Sequence, residues 1–333
     1  MDKLALQQQL FSQIKNRVAE HVSAVDEIAG LLEISADSAY RRMRGEKPIT
    51  LEELYKLCSH YHISVDQMMN IQTDAFQFQG KLINADNFRF DKYLSNTLNT
   101  MAFITSFKQK EFYTLCKDIH LFRHFQYREL AAFKYYFWIK TIYRFKDIKS
   151  KKFSFDEYDD SLYNIGRKIL SHYIQMDAVE VWNLEAINAS IRQIEYYRDG
   201  RMFESDNDVL KIYESLEKLL GHMEKQAILG YQFDDQDPEQ KPRGAFQMYF
   251  NEVLLLDNST FAVLDGQKIS YMIHSVINFM TTRDSRFCEN HYAHVQNLIQ
   301  KSTMISSQSE KERARFFKIL RERIEKRKEA LSV

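Results

Sequence analysis

The sequence predicts a mainly α-helical protein, a five-helix N-terminal domain followed by a larger helical domain with a small antiparallel β element. Three observations carry that prediction. Only nine glycines and three prolines occur in 333 residues, which suits long, rarely broken helices and is too few turn formers for a many-stranded sandwich. Apolar residues recur at three- and four-residue spacing along most of the chain. The period changes once, after residue 244, where short apolar runs alternate with turn residues.

Leu4, Leu10, Phe11, Ile14 and Val18 share one face and define the first helix. Ser23 caps a second, whose inward face is Val25, Ile28, Ala29 and Leu32; Ser35 caps a third. Thr50 with Glu53, and Ser64 with Gln67, are capping boxes that open a fourth and a short fifth helix. These elements make residues 1–72 one domain. Residues 73–90 lack a clear period and read as a linker, leaving 91–333 as the second domain. There, helical patterns cover roughly 91–107, 127–146, 156–173, 177–199 and 207–229, with polar spacers such as KDIKSKKFS between some of them. The stretch 234–244 holds two of the three prolines and is a loop. After it, DNST and Asp265-Gly266 divide residues 245–274 into strand, turn, strand, turn, strand, and EFYTLC (111–116) is a further candidate strand. Helices resume over 273–281, 286–304 and 309–330.

Lys plus Arg equals Asp plus Glu, at 46 each, so affinity for a polyanion has to come from a local patch. Residues 1–75 carry eight bases and eleven acids. Within that acidic domain, residues 36–47 set Arg41, Arg42, Arg44 and Lys47 against only Asp37 and Glu46. Three scattered cysteines, none in a CxxC pair, argue for a reducing compartment and against a zinc or disulfide framework. The N-terminus does not resemble a signal peptide, and lysines interrupt the longest apolar run, so a cytoplasmic protein without a membrane span is expected.

SAVDEIAGLLEISADSAYRRMRGEKPITLEELYKLCSHYHIS (23–64) resembles the lambda repressor/Cro-like, or Xre, helix-turn-helix family. Ala29 takes the small position of the second helix, Ile34-Ser35 enters the recognition helix, Gly45 follows it, and Leu51, Leu54, Leu57 and Cys58 line the fourth helix. The resemblance implies a transcriptional regulator whose third helix enters the major groove of double-stranded DNA. If Ala39 and Met43 face inward, Asp37, Ser38, Arg41 and Arg42 point outward or flank that face. Arginine suits bidentate contact with guanine and also matches phosphate. Specificity then falls to Arg41 and Arg42 with Ser38, and phosphate positioning to Ser35, Arg44 and Lys47. Two positions depart from the family pattern: Glu33 where the turn usually has glycine, and Arg42 where an apolar residue is usual. Whether Arg41, Arg42 or both read bases stays open.

One recognition helix contacts few base pairs, so a homodimer on paired half-sites is expected. In layout the chain resembles helix-turn-helix regulators with a large helical sensor, some of them peptide-sensing, which implies a small-molecule or peptide effector. The contrasting reading is an adaptor that uses the same module for protein contacts. No catalytic motif is recognisable, no cofactor is implied, and an enzyme is not expected. His120 with His124, His291 with His294, and the run CSHYHIS lack a completing ligand set and read as structural. The basic helix at 309–331, with Phe317, Leu320, Ile324 and Leu331 near one stripe and a capping box from Ser307 to Glu310, reads as the helix that closes the second domain. A sharper alternative gives it a dimer or phosphate contact.

Overall fold

The second, third and fourth helices each begin where a side chain satisfies an otherwise unpaired backbone N–H. In this computed structural model, which describes residues 3–19, 21–69, 75–80, 88–142, 151–253, 259–274 and 278–331, the chain forms two units, residues 1–77 and 78–333. The first contains α1 (Lys3–Lys15), α2 (Ala24–Leu32), α3 (Ala36–Met43), α4 (Leu51–His60) and α5 (Val65–Met69). Ser23 and Ser35 accept from the amides of Asp26 and Ser38, and Thr50 and Glu53 complete a reciprocal capping box. The Gln67 side chain, half of the other expected box, lies outside the described residues.

The apolar face of each helix meets in one core of Leu10, Phe11, Ile14, Ile28, Leu32, Ala39, Leu57 and their neighbours. Burial of this apolar surface is the main force holding five short helices together, since none is long enough to be stable alone. Leu51 departs from the expected inner face. It is 83% exposed, whereas Leu57 and Cys58 are buried and Leu54 is half-buried.

The second unit overturns the mainly helical prediction. An eight-stranded mixed sheet runs through it. In chain order its elements are β1 (Gln79–Gly80), α6 (Phe90–Thr105), β2 (Lys110–Cys116), α7 (Leu121–His124), α8 (Arg128–Phe137), α9 (Asp160–Tyr173), β3 (Asp177–Trp182), α10 (Asn188–Asp199), α11 (Asp206–Leu229), β4 (Phe246–Phe250), β5 (Ser259–Leu264), β6 (Gln267–His274), β7 (Asn278–Thr282), α12 (Ser285–Gln300), β8 (Thr303–Met304) and α13 (Glu310–Glu329). A π-helical turn, Trp138–Ile142, extends α8. The strand order is β1-β7-β6-β5-β2-β3-β4-β8, with β2, β3 and β4 parallel and the other pairings antiparallel.

The parallel strands are connected through helices, as parallel pairing requires. β2 and β3 are buried along most of their length and lack the in–out alternation that marks a half-exposed strand, whereas β4 keeps it. DAVEVW (177–182) therefore merged with the helical pattern after it, and the expected helix 177–199 is β3 followed by α10. The stretch 273–281, expected to be helical, contains the end of β6 and most of β7, with residues 275–277 outside the described residues. The first strand after the Pro-rich loop does not join the following hairpin; β4 pairs with β3 instead. The Asp265-Gly266 turn does connect β5 to β6, with φ of 45° and 82°. Two consecutive positive φ angles mark the tight turn whose twist suits a hairpin, and glycine takes the second without a Cβ penalty.

Part of the expected linker is structured, because residues 79–80 pair with β7. Residues 73–74 and 81–87 of that linker lie outside the described residues, as do 143–150, where the KDIKS spacer falls, and 257–258 of DNST.

A large core on one sheet face joins Phe112, Cys116 and Trp182 to the helices from α6 to α11 and to α13. A smaller one on the other face packs Tyr113, Leu115, Val181 and Phe261 against Cys288 and Val295 of α12. The closing helix α13 buries Phe316, Phe317, Leu320 and Ile324 and lies against α11. Its bases pair within the unit: Arg321 with Glu224, Arg323 with Glu185, Arg327 with Glu195 and Lys328 with Glu217. The expected Ser307–Glu310 capping box does not form. Ser309 is the N-cap, in left-handed conformation and without a side-chain bond, while Arg313 ties the turn by donating to the carbonyls of Ile305 and Gln308. Among the described residues, no helix is long and apolar enough to cross a membrane.

Candidate nucleic-acid interface

The turn between α2 and α3 sets how the third helix is presented. Glu33 occupies it with φ 59° and ψ 43°, a left-handed conformation that costs a non-glycine residue about 1–2 kcal/mol. The Ile34 amide closes the turn on the Ala29 carbonyl at 3.0 Å. Ser35 then caps α3. At the far end Gly45 adopts φ 79°, the Gly45 amide donates to Arg42 O and the Glu46 amide donates to Arg41 O, both at 2.9 Å. That pair of bonds is a Schellman ending, and the left-handed residue it needs is the glycine.

Gln7 of α1 fixes the exit from α3. Its amide nitrogen donates to the carbonyls of Arg42 and Lys47 at 2.7 and 2.8 Å, and its oxygen accepts from the Ile49 amide. Sequence reasoning missed Gln7, because a glutamine among three on a polar face carries no signal of a contact some forty residues away.

With both ends held, the faces of α3 are defined. Ala39 and Met43 point into the core. Arg42 joins them and is only 5% exposed. Its guanidinium makes a two-bond fork to Glu53, at 3.0 and 2.6 Å, while Nη1 donates to the Ser38 hydroxyl at 2.7 Å and to the Ser38 carbonyl. The hydrogen bond from Arg42 holds the Glu53 carboxyl below the usual glutamate range. Glu53 thus serves two partners, Arg42 and the capped end of α4. Ser38 is half-buried and engaged by Arg42.

The outward face consists of Asp37, Tyr40, Arg41 and Arg44, all exposed, with Ser35 before it and Lys47 beyond it also exposed. These four fall at helical positions i, i+3, i+4 and i+7, one continuous stripe. Arg44 pairs with Glu46 at 3.1 Å and lies 5.7 Å from the centre of the Tyr40 ring; Arg41 lies 3.7 Å from Glu46. Of the seven residues singled out from sequence, the helix therefore presents Asp37, Arg41 and Arg44, flanked by Ser35 and Lys47, and turns Ser38 and Arg42 inward. Tyr40 was not singled out. Its position three residues after Asp37 and one before Arg41 is the spacing signal that places it outside.

A capped helix, a tight left-handed turn and a second capped helix with one polar, arginine-bearing face make the first unit a helix-turn-helix module. Residues 2–84 match the family model of the BetR domain, a helix-turn-helix-type DNA-binding domain, which suggests a DNA-binding regulatory role for this end of the chain. No curated protein and no solved structure matches the chain.

The remaining sequence candidates lie in structural surroundings. Cys58 is buried on the inner side of α4. His120 caps α7 and stacks on Tyr173, and His124, at the end of α7, is buried. His291 is buried beside Ser270, its Nδ1 2.9 Å from the hydroxyl.

Proposed function

We propose that the protein is a sequence-specific DNA-binding transcriptional regulator of the Xre type. The second unit, on this reading, provides dimerisation and signal input. The exposed Tyr40–Arg41–Arg44 stripe, on a helix capped at both ends within the BetR-like segment, is the observation that carries the reading. A helix of this size fits the major groove, where Arg41 and Arg44 match the paired acceptors of guanine and Tyr40 offers an apolar ring edge to a thymine methyl. Ser35 and Lys47, at either end of the stripe, suit phosphate contacts that fix register. Arg42 acts indirectly, by locking α3 to α4. A pair of such helices on a two-fold site supplies the base-pair count that one lacks.

Enrichment of fragments from the source organism's genomic DNA, at a fixed salt concentration, tests this reading. The expected result is a motif with two related half-sites, and the paired change Arg41→Ala with Arg44→Ala removes the enrichment. Unaltered enrichment by that variant, in a protein whose melting is unchanged, would sink the assignment of the reading face.

An adaptor function has one observation in its favour. Leu51 and Tyr55 stand exposed one turn apart on α4, an apolar pair that suits a protein contact. Changing both to lysine separates the readings. Loss of a protein partner with DNA enrichment intact assigns that face to protein contact, and loss of DNA enrichment assigns it to the DNA-binding assembly.

A further inference from the structure

The second unit contains a cavity of about 670 Å³, within the range of small-molecule sites. One wall is α6, which contributes residues from Lys92 to Ile104 along a single face. The opposite wall is a sheet face that includes Phe112, Thr260, Tyr271 and Thr281. Paired registers place Thr281 of β7, Tyr271 of β6 and Thr260 of β5 in one cross-strand row, and all three line the cavity.

Its two ends differ in chemistry. Arg89 and Lys92, both exposed, lie at the mouth together with exposed Asn96 and Thr100. Met101, Ile104, Phe112 and Phe122 form the deep end, and each is almost wholly buried. Among the described residues, no carboxylate lines the cavity. Arg89 is paired with Asp91 at 2.8 Å, whereas Lys92 has no ion-pair partner among the described residues. His120 closes the apolar end. Burial pulls it down to about 4, so it is neutral near pH 7, and its Nδ1 accepts from the Phe122 amide, which leaves Nε2 as the protonated nitrogen.

We propose that this cavity binds a single-chain amphiphile with an anionic head, its head at Arg89 and Lys92 and its apolar tail toward Met101, Ile104, Phe112 and Phe122. The twelve steps along α6 from Lys92 to Ile104 rise roughly 18 Å, a length that suits an extended chain rather than a compact ring. The hydroxyl row on the sheet wall and the Asn96 amide suit a head that accepts hydrogen bonds. This rests on the sensing half of the proposed function, for which it supplies the effector class.

Calorimetric titration of the full chain with dodecanoate, below its micelle concentration, is the test. One molecule per chain is expected, with affinity increasing from octanoate to dodecanoate by up to about fourfold per methylene. Dodecanol, which has the same tail and no charge, should bind about two- to fivefold more weakly, and the exposed change Lys92→Gln should erase most of that difference. Met101→Trp, which fills the deep end, should weaken dodecanoate more than about tenfold while leaving the helical circular dichroism intact. Dodecyl phosphate distinguishes the source of the head. Tighter binding than dodecanoate assigns a phosphate, and weaker or equal binding a carboxylate. Equal binding of dodecanoate and dodecanol, absence of saturable binding, or a folded Met101→Trp variant that binds normally would each overturn the proposal. No DNA is present in the titration, so its failure leaves the reading of α3 standing, and failure of the genomic enrichment leaves the titration interpretable.

Discussion

Arg42 shows how one side chain decides what a helix presents. At about 100° per residue it falls within 60° or so of Ala39, on the same arc as Met43, so its inward direction was available from spacing alone. The partner was not. Thr50 and Glu53 were legible as a capping box, yet nothing local shows that the same carboxylate also receives an arginine from eleven residues earlier. Removing one member of this partly buried pair leaves the other's hydrogen bonds uncompensated, at a cost of about 1–3 kcal/mol. Arg42→Met and Glu53→Gln should therefore each lower the urea midpoint of the first unit, and the double change Arg42→Met with Glu53→Met should recover much of the loss. Because the Glu53 value is lowered in the folded state, its contribution is fully present above the ordinary glutamate value. It declines as pH falls below that value and is lost once pH passes through the lowered folded one. Urea midpoints of the wild type measured from pH 6 down to pH 3 should fall more steeply than those of Glu53→Gln.

At the scale of elements, the short β5–β6 hairpin was visible in the sequence because Asp-Gly between β-prone runs is a local signal. β2 and β4 were legible as strands, at 111–116 and just after the Pro-rich loop, but their parallel pairing was not, because the partners lie many tens of residues away, and β3, buried along most of its length, was read as helix. β3 hides itself further by placing Glu180 in its middle. That carboxylate is fully buried and accepts from the Arg123 guanidinium, the Tyr173 hydroxyl and the Trp182 indole. Burial alone would raise the Glu180 value, but Arg123 with the Tyr173 and Trp182 hydrogen bonds brings it below the usual range. A charge that reads as solvent-facing is thus the polar centre of the sheet. Glu180→Gln, which leaves Arg123 unpaired, should destabilise the second unit by about 3–5 kcal/mol in guanidinium unfolding. The apolar pair Arg123→Met with Glu180→Leu should fall nearer to wild type, and a larger loss for the pair than for Glu180→Gln would show that the network carries more than charge balance.

At the scale of the whole molecule, the division between Gln77 and Phe78 separates a core that closes on itself from one organised by the sheet. A fragment ending at Gln77 should keep cooperative melting, since its core of Leu10, Phe11, Ile28 and Leu57 is internal to it. Under the proposed function it should bind DNA without cooperativity and more weakly than the full chain; equal affinity and stoichiometry in a gel-shift titration would remove dimerisation from the second unit. The even balance of 46 bases and 46 acids already excluded a broad polyanion surface, and the structure narrows the basic patch further by turning Arg42 inward. Glu46 completes that restraint. It pairs with both Arg41 and Arg44, so under the proposed function it is a decoy, an internal rival that DNA would have to displace before both arginines are available. Bulk DNA offers little beyond phosphate to do so, whereas a correct site adds base contacts. Glu46→Gln should consequently raise affinity for random-sequence DNA more than for the selected operator, and make the protein less discriminating as it binds more tightly.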